Sequence, residues 1–524
     1  MPFEVLSNDR VTQNDNNFAG GLNTTGGPLS LNNSESSDLR NIDYNKFGSI
    51  LQRNGYSTLN GSAITNDPQI DGLHWFEYDS AGTLTRKAIA VADGKFWKMD
   101  DLDGTWDDIT GALTITATNL CDFDSWNNKV FVTNGEDPPF EWDGSTAQVI
   151  QNTPTGLTDA KYVAQYNNYL FLANVIVSGT THTSRIYWSA IGDEGTWSNT
   201  DFINVSNDDG QEITGIKVLS DRLVIYKTRS IYNLFFTGDS DVPFVLPGGG
   251  KSNSSIGCVA PFSIQEVNNG HVFLSIDGFY FYDGNNSFKI SDKLNTTIAG
   301  LNTGKVGISV SLVQKDKNRY WCAVTQSGST TNDLILVWDY FNNAWSIYDG
   351  MAASAMATFF VTGTTETPYF GDYDGFVYKA DDSTETDDNP LGVATAITSY
   401  YYTNWRSYSD LVNQKGTDQV VLYFVHSNTV LTFGYSFDFE GKALTDTALS
   451  DQYTITVDLS TSASQYGSAT YDGTDVYAAT TGGNKRLDLT SRGRLIRLRF
   501  SNSTIGETWQ VDGLGSLADL ETNV

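Results

Sequence analysis

The chain has 524 residues, with 32 Lys and Arg against 62 Asp and Glu, a formal net charge of −30. That balance excludes a protein whose main task is to grip nucleic acid through its phosphates, which needs surplus Lys and Arg. A hydrophobic share of 39% excludes global disorder and supports a large core. Cys121, Cys258 and Cys322 form no C-x-x-C pair, so they exclude a disulfide framework and read as buried apolar residues of a protein made in a reducing cytoplasm.

In chain order, the opening "MPFEVLSNDR" has neither a basic nor an apolar leader region, so no signal peptide is expected, and residues 1–19 read as an N-terminal arm. Nowhere does an apolar run reach about 18 residues, so no membrane span is expected. From residue 20 to 380 a unit recurs: a turn, an apolar strand, a tight turn, then an aromatic strand ending in Asp. It is seen at Ala92–Asp100, Asn127–Gly144, Asn167–Ala190, Asp221–Phe236, Asn269–Gly284, Asn332–Gly350 and Pro368–Asp382. One such hairpin cannot bury both faces. Unequal spacing of roughly 35 to 65 residues suits propeller blades, whose radial packing hides the faces and leaves only short edges. Residues 20–380 are therefore expected to form a β-propeller of six or seven blades; a pair of β-sandwiches shares the same strand signals. The one helical candidate begins at Ser291, as N-cap, with Leu294, Ile298 and Leu301 on one face.

At "DDSTETDDNP", 381–390, the composition turns acidic and polar, which reads as a linker. Residues 391–524, with alternating strands such as "QVVLYFVHS" and "RLIRLRF", suit one β-sandwich or jelly roll. Residues 1–390 carry 23 basic and 48 acidic residues (net −25), and 391–524 carry 9 and 14 (net −5). Six of those nine form a strip: Lys485, Arg486, Arg492, Arg494, Arg497 and Arg499. It reads as a solvated strand face or as an electrostatic seam between subunits, with DNA phosphate the weakest of the three readings on so acidic a chain.

Catalytic motifs are missing from the sequence. His74, His182, His271 and His426 are scattered, and there is no H-E-x-x-H, no G-x-S-x-G elbow and no true phosphate loop; "LPGGGKSNSSIG" has the wrong spacing and no following helix. "DGTW" (103–106) and "EGTW" (194–197) are similar to the Asp-box turn of sialidase propellers but one residue short, and read as turns with a packed Trp. No catalytic, metal or cofactor site is expected, and the chain reads as a non-enzyme.

Taken in order, four segments resemble one family. These are "FAGGLNTTGGPLSLNNSESSDLRNIDYNKFGSILQRNGYSTLN" (18–60), "LSDRLVIYKTRSIYNLFFTG" (219–238) with the stretch 257–294, "YFGDYDGFVYKAD" (369–381) and "RGRLIRLRFSN" (492–502). They are similar to the tail nozzle proteins of short-tailed bacteriophages, related to packaged-DNA stabilisation proteins at the portal vertex. The resemblance implies a structural virion protein of the tail, made in the host bacterial cytoplasm. It would form a homohexameric ring that retains the genome and then passes it during ejection. The partners implied are other copies, the tail adaptor and other tail proteins, duplex DNA in transit without sequence-specific binding, and the host cell surface. The alternative is a phage propeller that binds or cleaves host glycans with blade-turn aromatics and a carboxylate pair.

Overall fold

Paired Asn and Asp-Gly dipeptides set the hairpins. Asn127–Asn128, Asn167–Asn168, Asn268–Asn269 and Asp93–Gly94 all hold positive φ at both positions, the geometry whose twist matches antiparallel strands. The structure is a computed structural model describing residues 10–439 (without 254, 362 and 364), 451–460, 470–471, 475–476 and 482–521. Among these residues the hairpins build seven antiparallel blades. Their innermost strands are Ile70–Ser80, Asp122–Trp126, Leu157–Tyr166, Ile213–Leu219, Gln265–Val267, Val310–Gln314 and Ala355–Phe359. Each repeat unit read from the sequence falls in one blade, in chain order; five supply both middle strands, Ala92–Asp100 only the third strand of blade 1, and Asn332–Gly350 the third and outermost strands of blade 6.

Between blades the sheets meet through aromatic and aliphatic side chains. Phe76, Phe96, Phe140 and Trp142 join blades 1 and 2, with Phe96 and Phe140 edge-to-face at 5.4 Å. Each such fully buried ring contributes about 2–3 kcal/mol. The three cysteines are buried and free.

The seventh blade is closed from the other end of the chain. Gly55–Thr58 pairs antiparallel with Val377–Asp382, and Asp388–Asn389 adds a parallel strand on its far side. The propeller thus runs from residue 55, where the sequence reading began it at 20. Residues 381–390 are no free linker, because Asp381, Asp382, Asp387 and Asp388 are buried against the blade. Composition marked the acids but not their partners: Lys317 and Lys379 bind Asp381 and Asp382, and Arg53 binds Asp388.

A β-sandwich follows, and it is built from both ends of the chain. One sheet orders Ile42–Tyr44, Ile50–Gln52, Gln510–Glu521, Gln414–Val425 and Gly482–Asp488, with Arg10–Asp15 on Gln510–Glu521. The other orders Gly21–Leu22, Glu35–Arg40, Ser399–Thr403, Ile496–Asn502, Val430–Phe437 and Tyr453–Asp458. Residues 10–52 therefore belong to the sandwich, neither a separate arm nor a blade. Asp15 reaches the fully buried Arg406 at 2.7 Å and ties the first strand in place.

The helical candidate is a short 3₁₀ turn, Asp292–Leu294, running into Asn295–Ala299 with Leu294 and Ile298 buried. Ser291 does not cap it. Its hydroxyl accepts from the Phe279 amide at 2.8 Å, closing the outer edge of blade 5.

Candidate functional site

The inner strands surround an axial cavity of about 640 Å³. An inner strand has no backbone partner on its axial edge, and unpaired N–H and C=O groups there are costly when buried. Side chains of neighbouring blades meet that demand. Asp122 Oδ2 accepts from the Val163 amide at 3.2 Å, and Asp124 Oδ2 from the Gln165 amide at 2.6 Å. Gln265 donates to Ser311 O at 3.0 Å, Thr358 to Val313 O at 2.7 Å and Ser354 to Ile70 O at 2.8 Å.

Within this ring lie His74, Ser125, Asp124, Asp122 and Lys217. Lys217 Nζ donates to Asp122 Oδ1 at 3.0 Å. His74 Nε2 and Ser125 Oγ are 2.8 Å apart, and the imidazole lies flat on Phe123 at 5.3 Å. Burial and then the nearby Lys217 ammonium push His74 down to about 4, so the ring is neutral at pH 7 and a weak base. Burial pushes Asp124 up to about 6, against the pull of Lys217 and two amides. Burial favours a neutral Lys217, but Asp122 and Asp124 outweigh it and hold the ammonium above its usual range. The carboxylate oxygens are occupied by strand amides and Lys217, so Asp122 and Asp124 act as staples between blades. Among the described residues no group of His, Cys, Asp and Glu is arranged to hold a metal ion.

Asp71 sits beside this ring, 2% exposed. It accepts from the Thr118 amide at 3.0 Å and the Gln69 amide at 3.1 Å, while burial pushes its carboxyl up to about 7. A carboxyl raised in the folded state stabilises the fold below the unfolded value, and that stability is lost as pH rises through about 7. Asp71→Asn removes this loss. The variant's stability relative to the parent is expected to be about 2–3 kcal/mol greater at pH 8 than at pH 5. Urea unfolding at the two pH values checks the change; a constant difference contradicts it.

The basic strip does not survive folding as a unit. Ile496, Leu498 and Phe500 face the core and Arg497 and Arg499 the other side, as alternation requires. Arg497 is only 4% exposed, however, with its guanidinium 4.6 Å from the Tyr402 ring and 4.8 Å from Trp405. Arg499 pairs with Asp451 at 2.8 Å. The exposed members also meet acids or acceptors: Arg486 pairs with Asp488 at 2.9 Å, Lys485 lies near Asp458, Arg492 near Asp418, and Arg494 Nε donates to Val412 O at 3.0 Å. Arg497 and Arg499 are thus structural, and each of the others has an acid or an acceptor nearby. The linear count of cations missed the acids that Gln414–Val425 and Tyr453–Asp458 bring beside them.

The axial cluster was not legible in the sequence, because His74, Asp124 and Lys217 come from three different blades. Its one local signal is the alternation Asp122-Phe123-Asp124, which places both acids on one strand face. "DGTW" is a bend as read, with Thr105 N donating to Asp103, but "EGTW" lies in the outer strand Asp193–Asn204 at a register shift, where Trp197 Nε1 donates to Glu194 O at 2.8 Å.

Fold and site together define an all-β protein, a seven-bladed propeller carried on a β-sandwich. No protein-family model matches the sequence, and no curated protein matches it significantly. Among solved structures it is similar to the computationally designed Ika8 protein (14% identity, 62% of this chain and 99% of that one, TM-score 0.35). It is also similar to BamB from Moraxella catarrhalis (14%, 66% and 94%, TM-score 0.37) and to a chain of the mitotic checkpoint complex (8%, 63% and 93%, TM-score 0.40). Likenesses this distant say nothing about activity or partners, and the blade count rests on the strand pairing of the chain itself.

Proposed function

We propose that this chain is a structural virion protein, the tail nozzle of a short-tailed bacteriophage, whose copies form a ring around a DNA conduit. The observation that carries the reading is what folding does to charge. The propeller's cations are largely consumed in ion pairs, among them Lys87, Lys98, Lys129, Lys161, Lys227 and Lys289. The acids outnumber them, so the exposed surface is left negative. Such a surface repels the phosphate backbone, and duplex DNA passes it without being held.

The conduit has to lie between copies. A 640 Å³ cavity crossed by side chains does not admit a duplex whose major groove alone is about 12 Å wide. In this reading Arg497 and Arg499 serve the fold and not the seam between copies, since both are engaged within the chain. In this reading the ring is hexameric, seats on the tail adaptor, sits in the virion tail, contacts the host surface at ejection and performs no catalysis. Electron microscopy of the particle, with the chain tagged at its C-terminus, tests it. Density at the tail axis supports the nozzle, and density on a peripheral fibre overturns it.

One observation favours a second reading, a propeller that binds host glycans. The axial cavity presents Trp75, Phe360 and Glu77 beside polar groups, a lining suited to stacking on a sugar. Cleavage by an Asp122–Asp124 pair is disfavoured by the strand amides that occupy both carboxylates.

A further inference from the structure

On the face where the inner strands end, the connections of neighbouring blades are hydrogen-bonded to one another. Asp79 N donates to Asn128 at 3.1 Å, Asn127 to Glu194 at 3.1 Å, Tyr166 to Asp221 O, Arg222 to Gly284 O at 3.0 Å, and Asp316 N to Glu366 at 3.3 Å. Blades 1 to 5 are joined in series this way, and blade 6 is joined to blade 7. The axial cavity opens on the same face, at Glu77, Phe360 and Glu366.

This face carries large apolar side chains in water. Leu84, Ile191, Val242, Phe288, Phe341 and Val361 are between 39% and 61% exposed, and they come from six different elements of blades 1, 3, 4, 5, 6 and 7. On the opposite face, among the described residues, Ile276 and Val149 are exposed, and so are Leu391 and Val393 beside Thr58 at the end of the closing strand. Single exposed apolar residues are ordinary; those on the turn face stand out because they are set among acids.

The same turns hold exposed acids: Asp101, Asp103, Asp143, Asp193, Asp239 and Asp283, none of them in an ion pair among the described residues. Against them stand Lys315 and the already ion-paired Arg86, Arg222 and Lys317.

We propose that this turn face is a docking surface for a basic protein segment bearing aliphatic or aromatic side chains. The acids attract the segment, the apolar turn residues receive its apolar side chains, and the cavity mouth between Glu77 and Glu366 accepts a Lys or Arg. Charge complementarity selects this occupant. A second copy of a −30 chain meets like charge here, and nucleic acid is repelled. The surface stands whether or not the chain forms a ring.

The test uses the full chain and fluorescein-labelled 16-residue peptides of alternating Lys and Leu, Lys and Ser, or Glu and Leu, read by anisotropy in 0.15 M salt. The Lys/Leu peptide is expected to bind, the Lys/Ser peptide at least tenfold more weakly and the Glu/Leu peptide not at all. L84S/I191S/V361S is expected to weaken Lys/Leu binding at least tenfold, and V149S/I276S on the opposite face to leave it unchanged. All five positions are exposed, and unaltered thermal unfolding confirms that both variants fold. Absence of Lys/Leu binding, equal binding of the Lys/Ser peptide, or equal loss in both variants overturns the proposal. So does a change of oligomeric mass confined to L84S/I191S/V361S, which assigns the face to a second copy instead.

Discussion

Arg53→Ala is expected to destabilise the protein by about 3–5 kcal/mol, the usual cost of breaking a buried ion pair. Arg53 and Asp388 are 3% and 8% exposed, and the guanidinium grips both carboxylate oxygens at 2.8 and 2.7 Å. Its remaining donors go to Asn41 Oδ1 at 2.8 Å, Asn54 O at 2.9 Å and Asp349 O at 3.0 Å. One side chain therefore ties together the sandwich (Asn41), the strand that closes the propeller (entered at Asn54), the parallel strand beside it (Asp388) and the exit from blade 6 (Asp349). Removing it leaves Asp388 buried without its counter-ion at the point where the ring of blades is sealed. The expected signature is an early thermal transition in which propeller and sandwich lose their coupling. Arg53→Lys should recover little, because an ammonium cannot span that set of acceptors. An Arg53→Ala protein that melts with the parent midpoint contradicts the clasp.

The second large effect concerns the basic strip. Arg497→Glu with Arg499→Glu is expected to cost more than 3 kcal/mol and to lower soluble yield, through unfolding of the sandwich. The new carboxylate at 497 is buried between Tyr402 and Trp405 and next to Asp451, where no cation remains to meet it. Lys485→Glu with Arg486→Glu, on exposed positions, should stay within about 0.5 kcal/mol of the parent. Denaturant titration of the two double variants compares them directly. Similar midpoints contradict the assignment of Arg497 as a structural residue.

How far the fold was legible follows from the range of its interactions. The seven hairpins could be read because each is local: alternation over five to ten residues and a turn dipeptide that accepts positive φ specify neighbouring strands of a blade without reference to the rest of the chain. Closure was not readable. Gly55–Thr58 pairs with Val377–Asp382 across more than 300 positions, and nothing in a short polar strand announces so distant a partner. The same holds for Arg10–Asp15 on Gln510–Glu521, which is why the first fifty residues were read as arm and blade instead of sandwich.

Charge was misread for a related reason. Six cations within fifteen positions form a basic strip in a linear count, but the Tyr402 and Trp405 rings cover Arg497 on the face away from the core, and neighbouring strands bring their own acids. The axial residues His74, Asp124 and Lys217 were invisible as a group, since only the circular arrangement of blades brings them together.

A net charge of −30 is unsuited to gripping DNA, and folding sharpens that, because many of the cations are engaged in ion pairs within the chain. In the proposed nozzle many copies, and not one propeller, make the conduit. Mass photometry of the purified full chain with two-dimensional class averages from electron microscopy tests it most directly. A ring of six around an open, negatively lined pore wide enough for duplex DNA is the predicted result; a monomer at all concentrations, with a sugar retained in the axial cavity, would contradict it.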